Sequence, residues 1–261
     1  MNIISEYKYG KVIYNTNDYY MGNCISEYGE YCDSEISLLS KLIKKGDRVL
    51  DIGSNIGLMT IPFSKLVGPS GKVTAYEPQS EIFKILCGNM AINNLSNVDV
   101  FNLCLGDSND PLYLPKINYN QQNNFGGIGL SNLGDIKVNQ IKLDDLKFDR
   151  LDLIKIDVEG MEVNVLRGGK NTLMDKRPIL YIENDRRDFS QNLLTELFSN
   201  GYDCYWHISH LFRLNNYKNN IINVFDKNYI CINVLALPKE REIKFDYSPL
   251  KQITSVLDWH E

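Results

Sequence analysis

Two groups of residues have the types and spacing that chemistry requires. The first lies in Val49-Leu50-Asp51-Ile52-Gly53-Ser54-Asn55-Ile56-Gly57, followed by Glu77 in Tyr76-Glu77-Pro78. Glycines directly after a buried strand let the backbone approach a ligand and turn sharply into a helix. A dinucleotide site would carry G-x-G-x-x-G at this point. Here three residues separate Gly53 from Gly57, and a carboxylate, Asp51, precedes both. A pyrophosphate favours bare backbone amides without nearby negative charge. A ligand with an ammonium, a sulfonium and ribose hydroxyls, such as S-adenosylmethionine, favours the opposite. Asp51 is expected to attract its cationic amino-acid end, and Glu77 to accept hydrogen bonds from the ribose hydroxyls. Ser54, Asn55 and Pro78 complete the loop and strand end along which it would lie.

The second group is Lys155, Asp157, Glu183, Asn184 and His207. Lys155 stands two residues before Asp157 and so shares its side of a strand. A buried lysine needs a carboxylate partner. Two readings of this acidic edge stay open. In one, Asp157, Glu183 and Asn184 hold Mg2+ or a similar hard cation that lowers the pKa of an acceptor hydroxyl. In the other, Lys155 and Glu183 pair to hold the sheet edge, while Asp157 touches substrate or cofactor. Without a metal, His207 or Lys155 is the candidate base. Glu159 faces the active edge, and Glu162 opens a helix, where negative charge suits the dipole. Tyr205, Trp206, Phe212 and Tyr217 would form either an aromatic floor or ordinary packing.

Elements must hold these residues at one edge. Short apolar runs at 48–52, 72–76, 98–105, 151–158 and 179–183 alternate with helical patterns at 56–67, 80–92 and 161–174. Such alternation predicts right-handed βαβ units, hence a Rossmann-like α/β fold with a mostly parallel central sheet and helices on both faces. A further helix is expected near 191–199, with strands near 202–206 and 229–237. Residues 1–45 read as an N-terminal cap ending in a helix over 34–44, residues 46–237 as the core domain, and residues 238–261 as a tail. Between 106 and 145 the rhythm breaks in an inserted excursion, with short strands near 112–114 and 136–143. Its Asn- and Gln-rich middle is expected to be mobile, and the stretch 116–130 is a candidate lid.

Composition narrows the class. A net charge of -5 and a pI near 5.4 argue against nucleic acid, which asks for a basic face. Six cysteines lack C-x-x-C spacing and read as buried free thiols. The N-terminus has no signal-peptide pattern, and no apolar run approaches the roughly 18 residues of a membrane span. The expectation is a soluble cytoplasmic protein with a small-molecule or glycan substrate and no membrane partner.

Asp51-Ile52-Gly53-Ser54-Asn55-Ile56-Gly57, Tyr76-Glu77-Pro78 and Leu105-Gly106-Asp107 resemble class I methyltransferases. With Ile154-Lys155-Ile156-Asp157-Val158-Glu159-Gly160-Met161-Glu162, the stretch from about Tyr28 to Trp206 resembles the FkbM-type methyltransferase family. The resemblance implies S-adenosylmethionine as cofactor and methylation of oxygen, commonly on a sugar or natural-product hydroxyl. It also implies that Leu105, Gly106 and Asp107 line the adenine and that the loop at Tyr28 approaches the methionine end. A non-catalytic cofactor-binding module and a nicotinamide-dependent dehydrogenase are the alternatives.

Overall fold

The chain begins with an antiparallel hairpin, β1 (Asn2–Tyr7) and β2 (Gly10–Asn15), which the sequence patterning does not announce. A short helix, α1 (Tyr20–Asn23), runs into a π-helical turn over Cys24–Tyr28, and α2 (Asp33–Leu39) follows. The βαβ core then opens with β3 (Arg48–Ile52), α3 (Thr60–Val67), β4 (Lys72–Tyr76), α4 (Ser80–Ile92) and β5 (Val98–Phe101). The structure, a computed structural model, describes residues 1–244 and 246–260.

The apolar run at 98–105 is two strands rather than one. After β5 the chain leaves the main sheet, and β6 (Cys104–Gly106) pairs in parallel with β9 (Gln140–Lys142). Between them β7 (Leu112–Leu114) and β8 (Ile136–Val138) form a hairpin. The polar middle of this excursion, residues 118–124, is largely exposed, and an anchor follows it directly. Phe125 is fully buried, its carbonyl accepts a hydrogen bond from Gln79 Nε2 at 2.8 Å, and Asn123 bridges to Asp18.

The core resumes with β10 (Leu153–Ile156), α5 (Glu162–Gly168), α6 (Lys170–Lys176), β11 (Ile179–Glu183) and α7 (Arg187–Ser199). The helical run at 161–174 breaks into two helices at Gly168-Gly169, where the chain passes close to β6: a Cβ on Gly168 would lie 1.8 Å from the Gly106 carbonyl oxygen. Two long antiparallel strands, β12 (Tyr202–His210) and β13 (Ile230–Pro238), and the short β14 (Lys251–Ile253) complete the main sheet. The segment expected as a tail thus supplies an edge strand.

Sheet order is β14-β12-β13-β11-β10-β3-β4-β5, parallel from β11 to β5. The chain winds outward from β3 through β4 and β5, then restarts at β10 and winds the other way. The strand order therefore reverses between β3 and β10, and the crevice beyond their carboxyl ends is where such sheets bind ligands. Strand alternation sorts the core. Leu50, Ile52, Ile154, Ile156, Leu180 and Ile182 pack on one face with α5, α6 and α7. Val49, Leu153, Ile179 and Tyr181 pack on the other with α2 and α3. Among the described residues no helix is long and apolar enough to cross a membrane.

Candidate functional site

Register decides which side chains meet. On the α2 face, Asp51, Lys155, Tyr181, Leu235 and Tyr205 form one row across the sheet. The next row toward the carboxyl edge brings Glu183, Asn233 and His207 side by side, with Gly53 and Asp157 just beyond the ends of β3 and β10. A cavity of about 430 Å³ opens above this row, within the range of small-molecule sites.

The turn after β3 is held open for a ligand. Gly53 has φ +78°, and a Cβ there would lie 1.7 Å from the Asp157 carbonyl oxygen, so only glycine lets β3 and β10 end this close together. Ser54 and Asn55 follow along the cavity wall. Glu77, at the end of β4, accepts hydrogen bonds from the Asn55 and Gln79 N–H groups at 2.9 and 2.8 Å. Burial pushes its carboxyl up to about 7, against the lowering effect of those two N–H groups. Pro78, Leu103, Cys104 and Leu105 continue the wall as a flat apolar surface. These features fit a nucleoside: backbone at close range, a carboxylate for ribose hydroxyls and an apolar face for a base. The lining carries six carboxylates against Lys155 and Arg186 as its cations, which suits a cationic ligand and opposes a pyrophosphate.

Lys155 is buried, and its partners differ from the expected one. Its ammonium lies 3.1 Å from Asp157 and 3.6 Å from Asp51, and donates to the Gly53 carbonyl at 3.1 Å; it forms no ion pair with Glu183. Burial alone would lower its pKa, but Asp157 and Asp51 outweigh that and raise it. This setting favours the charged ammonium over the free amine that a base requires. Asp51 does not reach the cavity: it is fully buried and accepts from Thr60 Oγ1 at 2.5 Å, so it orders Lys155 and the start of α3.

The carboxylates of Asp157, Glu159 and Glu183 converge, with one oxygen of each within 4.8 Å of the others. Asn184 does not join them. One residue beyond Glu183, it points to the opposite face of the strand and donates to Ser190 Oγ at 2.9 Å. Glu159 takes the third place. It sits at φ +58°, which costs a non-glycine residue about 1–3 kcal/mol, and is gripped by Arg186 through both its carboxylate and its carbonyl. Burial and the Asp157 charge push Glu159 up to about 8 despite Arg186. Burial, then Asp157, Asp185 and Glu159, push Glu183 well above the usual carboxylate range.

His207 lies in the right row but not on the cavity. Its Nδ1 is 2.7 Å from the Tyr181 hydroxyl in a closed interior, and burial lowers its pKa to about 4. Tyr28 is likewise interior: its hydroxyl accepts from the Val224 N–H at 2.9 Å, beside Phe212 and Phe225. Tyr20, Tyr31 and Tyr229 line the cavity instead. Gly57 serves packing, since a Cβ there would meet Leu86 and Met90 of α4 at 2.7 and 2.8 Å. Gly106 and Asp107 fall behind the wall, Asp107 accepting from Asn164 Nδ2 at 2.8 Å. The apolar wall is therefore Leu103 to Leu105 rather than Leu105 to Asp107. Tyr205, Trp206, Phe212 and Tyr217 do not line the cavity, and Tyr217 is exposed. Glu162, the first residue of α5, ties the turn before the helix, accepting from the Val158 and Gly160 N–H groups at 3.2 and 3.0 Å. Arg186, Glu35, Cys32 and Cys231 also line the cavity, and no motif spacing marked them. From the excursion, Asn124, Gly126, Gly127, Ile128 and Leu130 form part of the wall.

Comparison with known proteins identifies the family and the fold. The sequence model of the methyltransferase FkbM domain matches residues 51–204. A ribosomal protein L11 methyltransferase from Acetivibrio thermocellus is 37% identical over 70 residues, covering 27% of this chain and 22% of that one. The chain thus matches about a fifth of that curated relative. A solved precorrin-6y C5,15-methyltransferase from Geobacter metallireducens superposes with a TM-score of 0.51 at 15% identity, covering 79% of this chain and 87% of that one. A methyltransferase FkbM from Methylobacillus flagellatus aligns at TM-score 0.46 and 16% identity, over 72% of this chain and 43% of that one. At 15% identity the likeness to the precorrin-6y C5,15-methyltransferase is one of fold.

Proposed function

The chain belongs to the FkbM methyltransferase domain family, a family of S-adenosylmethionine-dependent methyltransferases, and we propose that it methylates a hydroxyl group of a sugar, glycan or small metabolite. Bound S-adenosylmethionine supplies an electrophilic methyl group. Gly53, Ser54 and Asn55 would pass along it, Glu77 would accept from its ribose hydroxyls, and Leu103 to Leu105 would face its base. Lys155 pairs with Asp157 at 3.1 Å and would fix it beside the cavity.

The observation that carries the oxygen reading is the convergence of Asp157, Glu159 and Glu183. A hydroxyl is a weak nucleophile until its proton is withdrawn. Glu183 faces the cavity with its proton affinity raised, and no hydrogen-bond or ion-pair partner is found for its carboxylate among the described residues. It would accept the proton of an acceptor hydroxyl, with Glu159 and Arg186 ordering the corner. A second reading rests on the same convergence: a hard divalent cation on Asp157, Glu159 and Glu183 would relieve their mutual repulsion and acidify the hydroxyl.

The test is a set of hydroxylated sugars and metabolites offered with isotope-labelled S-adenosylmethionine, the product's methyl located by NMR. A methyl on carbon or nitrogen would overturn the reading. Glu183→Gln should lower kcat about 10²–10⁴-fold with cofactor affinity retained. Loss of activity in EDTA and its return with Mg2+ selects the cation reading; full activity in EDTA removes it.

A further inference from the structure

A second cluster lines the same cavity and takes no part in the scheme above. Cys32, at the start of α2, and Cys231, on β13, come from opposite ends of the chain, and their sulfurs lie 3.5 Å apart as free thiols. Glu35, one turn into α2, places a carboxylate oxygen within 4.8 Å of both sulfurs. Glu35 Oε1 accepts from Ser209 Oγ at 2.7 Å and Asn233 Nδ2 at 3.2 Å, which orient the carboxylate. Glu35 is buried, yet these three side chains all border the cavity.

We propose that Cys32, Cys231 and Glu35 bind a divalent cation of borderline softness, Zn2+ in the first instance, as an open three-ligand site whose fourth position faces the cavity. Tetrahedral zinc with Zn–S bonds of about 2.3 Å holds two sulfurs about 3.8 Å apart, so the observed separation needs a shift of only a few tenths of an ångström. Two sulfurs and one carboxylate select zinc over Mg2+, which takes oxygen ligands in octahedral geometry. Ser209 and Asn233 supply the outer hydrogen bonds that ligating carboxylates need. Three protein ligands with a free position are the pattern of zinc sites that receive a water or a substrate atom. Binding releases one proton from each thiol and forms two metal–thiolate bonds, with no change of oxidation state. The site is separate from the Asp157–Glu159–Glu183 corner, which by its all-oxygen donors would take a hard cation.

Cobalt(II) is the probe, because thiolate-to-cobalt charge transfer absorbs in the near ultraviolet only when sulfur is bound. The full-length protein, reduced and freed of metal, should develop this band with one Co2+ per chain, and Zn2+ but not excess Mg2+ should abolish it. Cys32→Ser and Cys231→Ser should each weaken binding at least about tenfold and diminish the band, whereas Glu183→Gln should leave it intact. A second measurement needs no variant: Zn2+ should protect Cys32 and Cys231 from alkylation, read by peptide mass, while Cys87 reacts unchanged. Absence of the band in folded protein, its survival in both cysteine variants, or alkylation indifferent to Zn2+ would overturn the site. None of these results bears on whether the acceptor is a hydroxyl.

Discussion

At the residue scale, the cavity depends on carboxylates whose charge is costly. Glu77 is the clearest case, buried and held by two backbone N–H groups. Hydrogen bonds to a charged group contribute about 1.5–3 kcal/mol, so Glu77→Ala should weaken S-adenosylmethionine binding about tenfold to a hundredfold by calorimetry. With its carboxyl raised to about 7, wild-type affinity should climb as pH rises through 7, and Glu77→Gln should flatten that climb. Unchanged affinity in both variants would remove Glu77 from the site. Lys155 makes a different prediction. Its removal leaves the fully buried Asp51 without its cation, and breaking a buried pair costs about 3–5 kcal/mol. Lys155→Met should therefore lose stability on this scale in denaturant unfolding; a change below 1 kcal/mol, about the worth of an exposed pair, would contradict the geometry.

At the element scale, the crevice exists because β3 and β10 end together. Backbone contact at Gly53 sets that, with the Asp157 N–H donating to the Ile52 carbonyl at 3.0 Å. Gly53→Ala must place a methyl group on the Asp157 carbonyl and hold an L-residue at positive φ. It should cost at least about 1–3 kcal/mol and abolish cofactor binding, seen as a lower Tm that S-adenosylmethionine no longer raises. Much at this scale was legible in the residues. The runs at 48–52, 72–76 and 179–183 are β3, β4 and β11, because strands covered on both sheet faces are largely buried and so mostly apolar. The hairpin at 2–15 was not, since its alternating exposure leaves little apolar signal: β1 buries only Tyr7 fully. The split of 98–105 was hidden for another reason. Asn102 turns the chain by donating to the Glu77 and Pro78 carbonyls, a contact across 25 and 24 residues.

At the scale of the whole molecule, the two ends of the chain close over the cavity. Arg213 donates to Glu30 at 2.9 Å and Asp33 at 2.6 Å, tying the 211–229 loop to the start of α2 and the residues just before it. Both carboxylates are buried, with Lys8 as their other cation. Arg213→Ala should lower stability by about 2 kcal/mol and expose the 211–229 loop to limited proteolysis, with wild-type resistance as the contrary result. The pooled acids also set a pH dependence. Glu159 and Glu77 have folded pKa values of about 8 and 7, above their unfolded values, so between those limits the native state holds more protons than the unfolded chain. Their contribution to stability therefore falls as pH rises. His207, lowered to about 4, works in the opposite sense but is spent once pH passes its unfolded value near 6.5. The ligand-free protein should lose Tm steadily from pH 6.5 to 8, and a flat profile would count against the buried acids.

The sequence by itself determined the fold class, the cofactor and the strand ends at which a site must lie. Those properties are local: apolar runs, a glycine turn and carboxylates at fixed offsets from them. It brought Gly53 and Glu77 forward in one group and Lys155, Asp157 and Glu183 in another, and all five border one cavity. Only the tertiary structure decided which neighbours share that wall. Strand alternation turned Asn184 away and left Glu159 in its place. Burial behind Tyr181 withdrew His207, and two carboxylates fixed the charge of Lys155. The antiparallel return of β13 carried Cys231 to Cys32, across 199 residues that no spacing rule connects. Pairing of that kind is set by register and by which sheet face a helix covers, and neither is a property of any single segment.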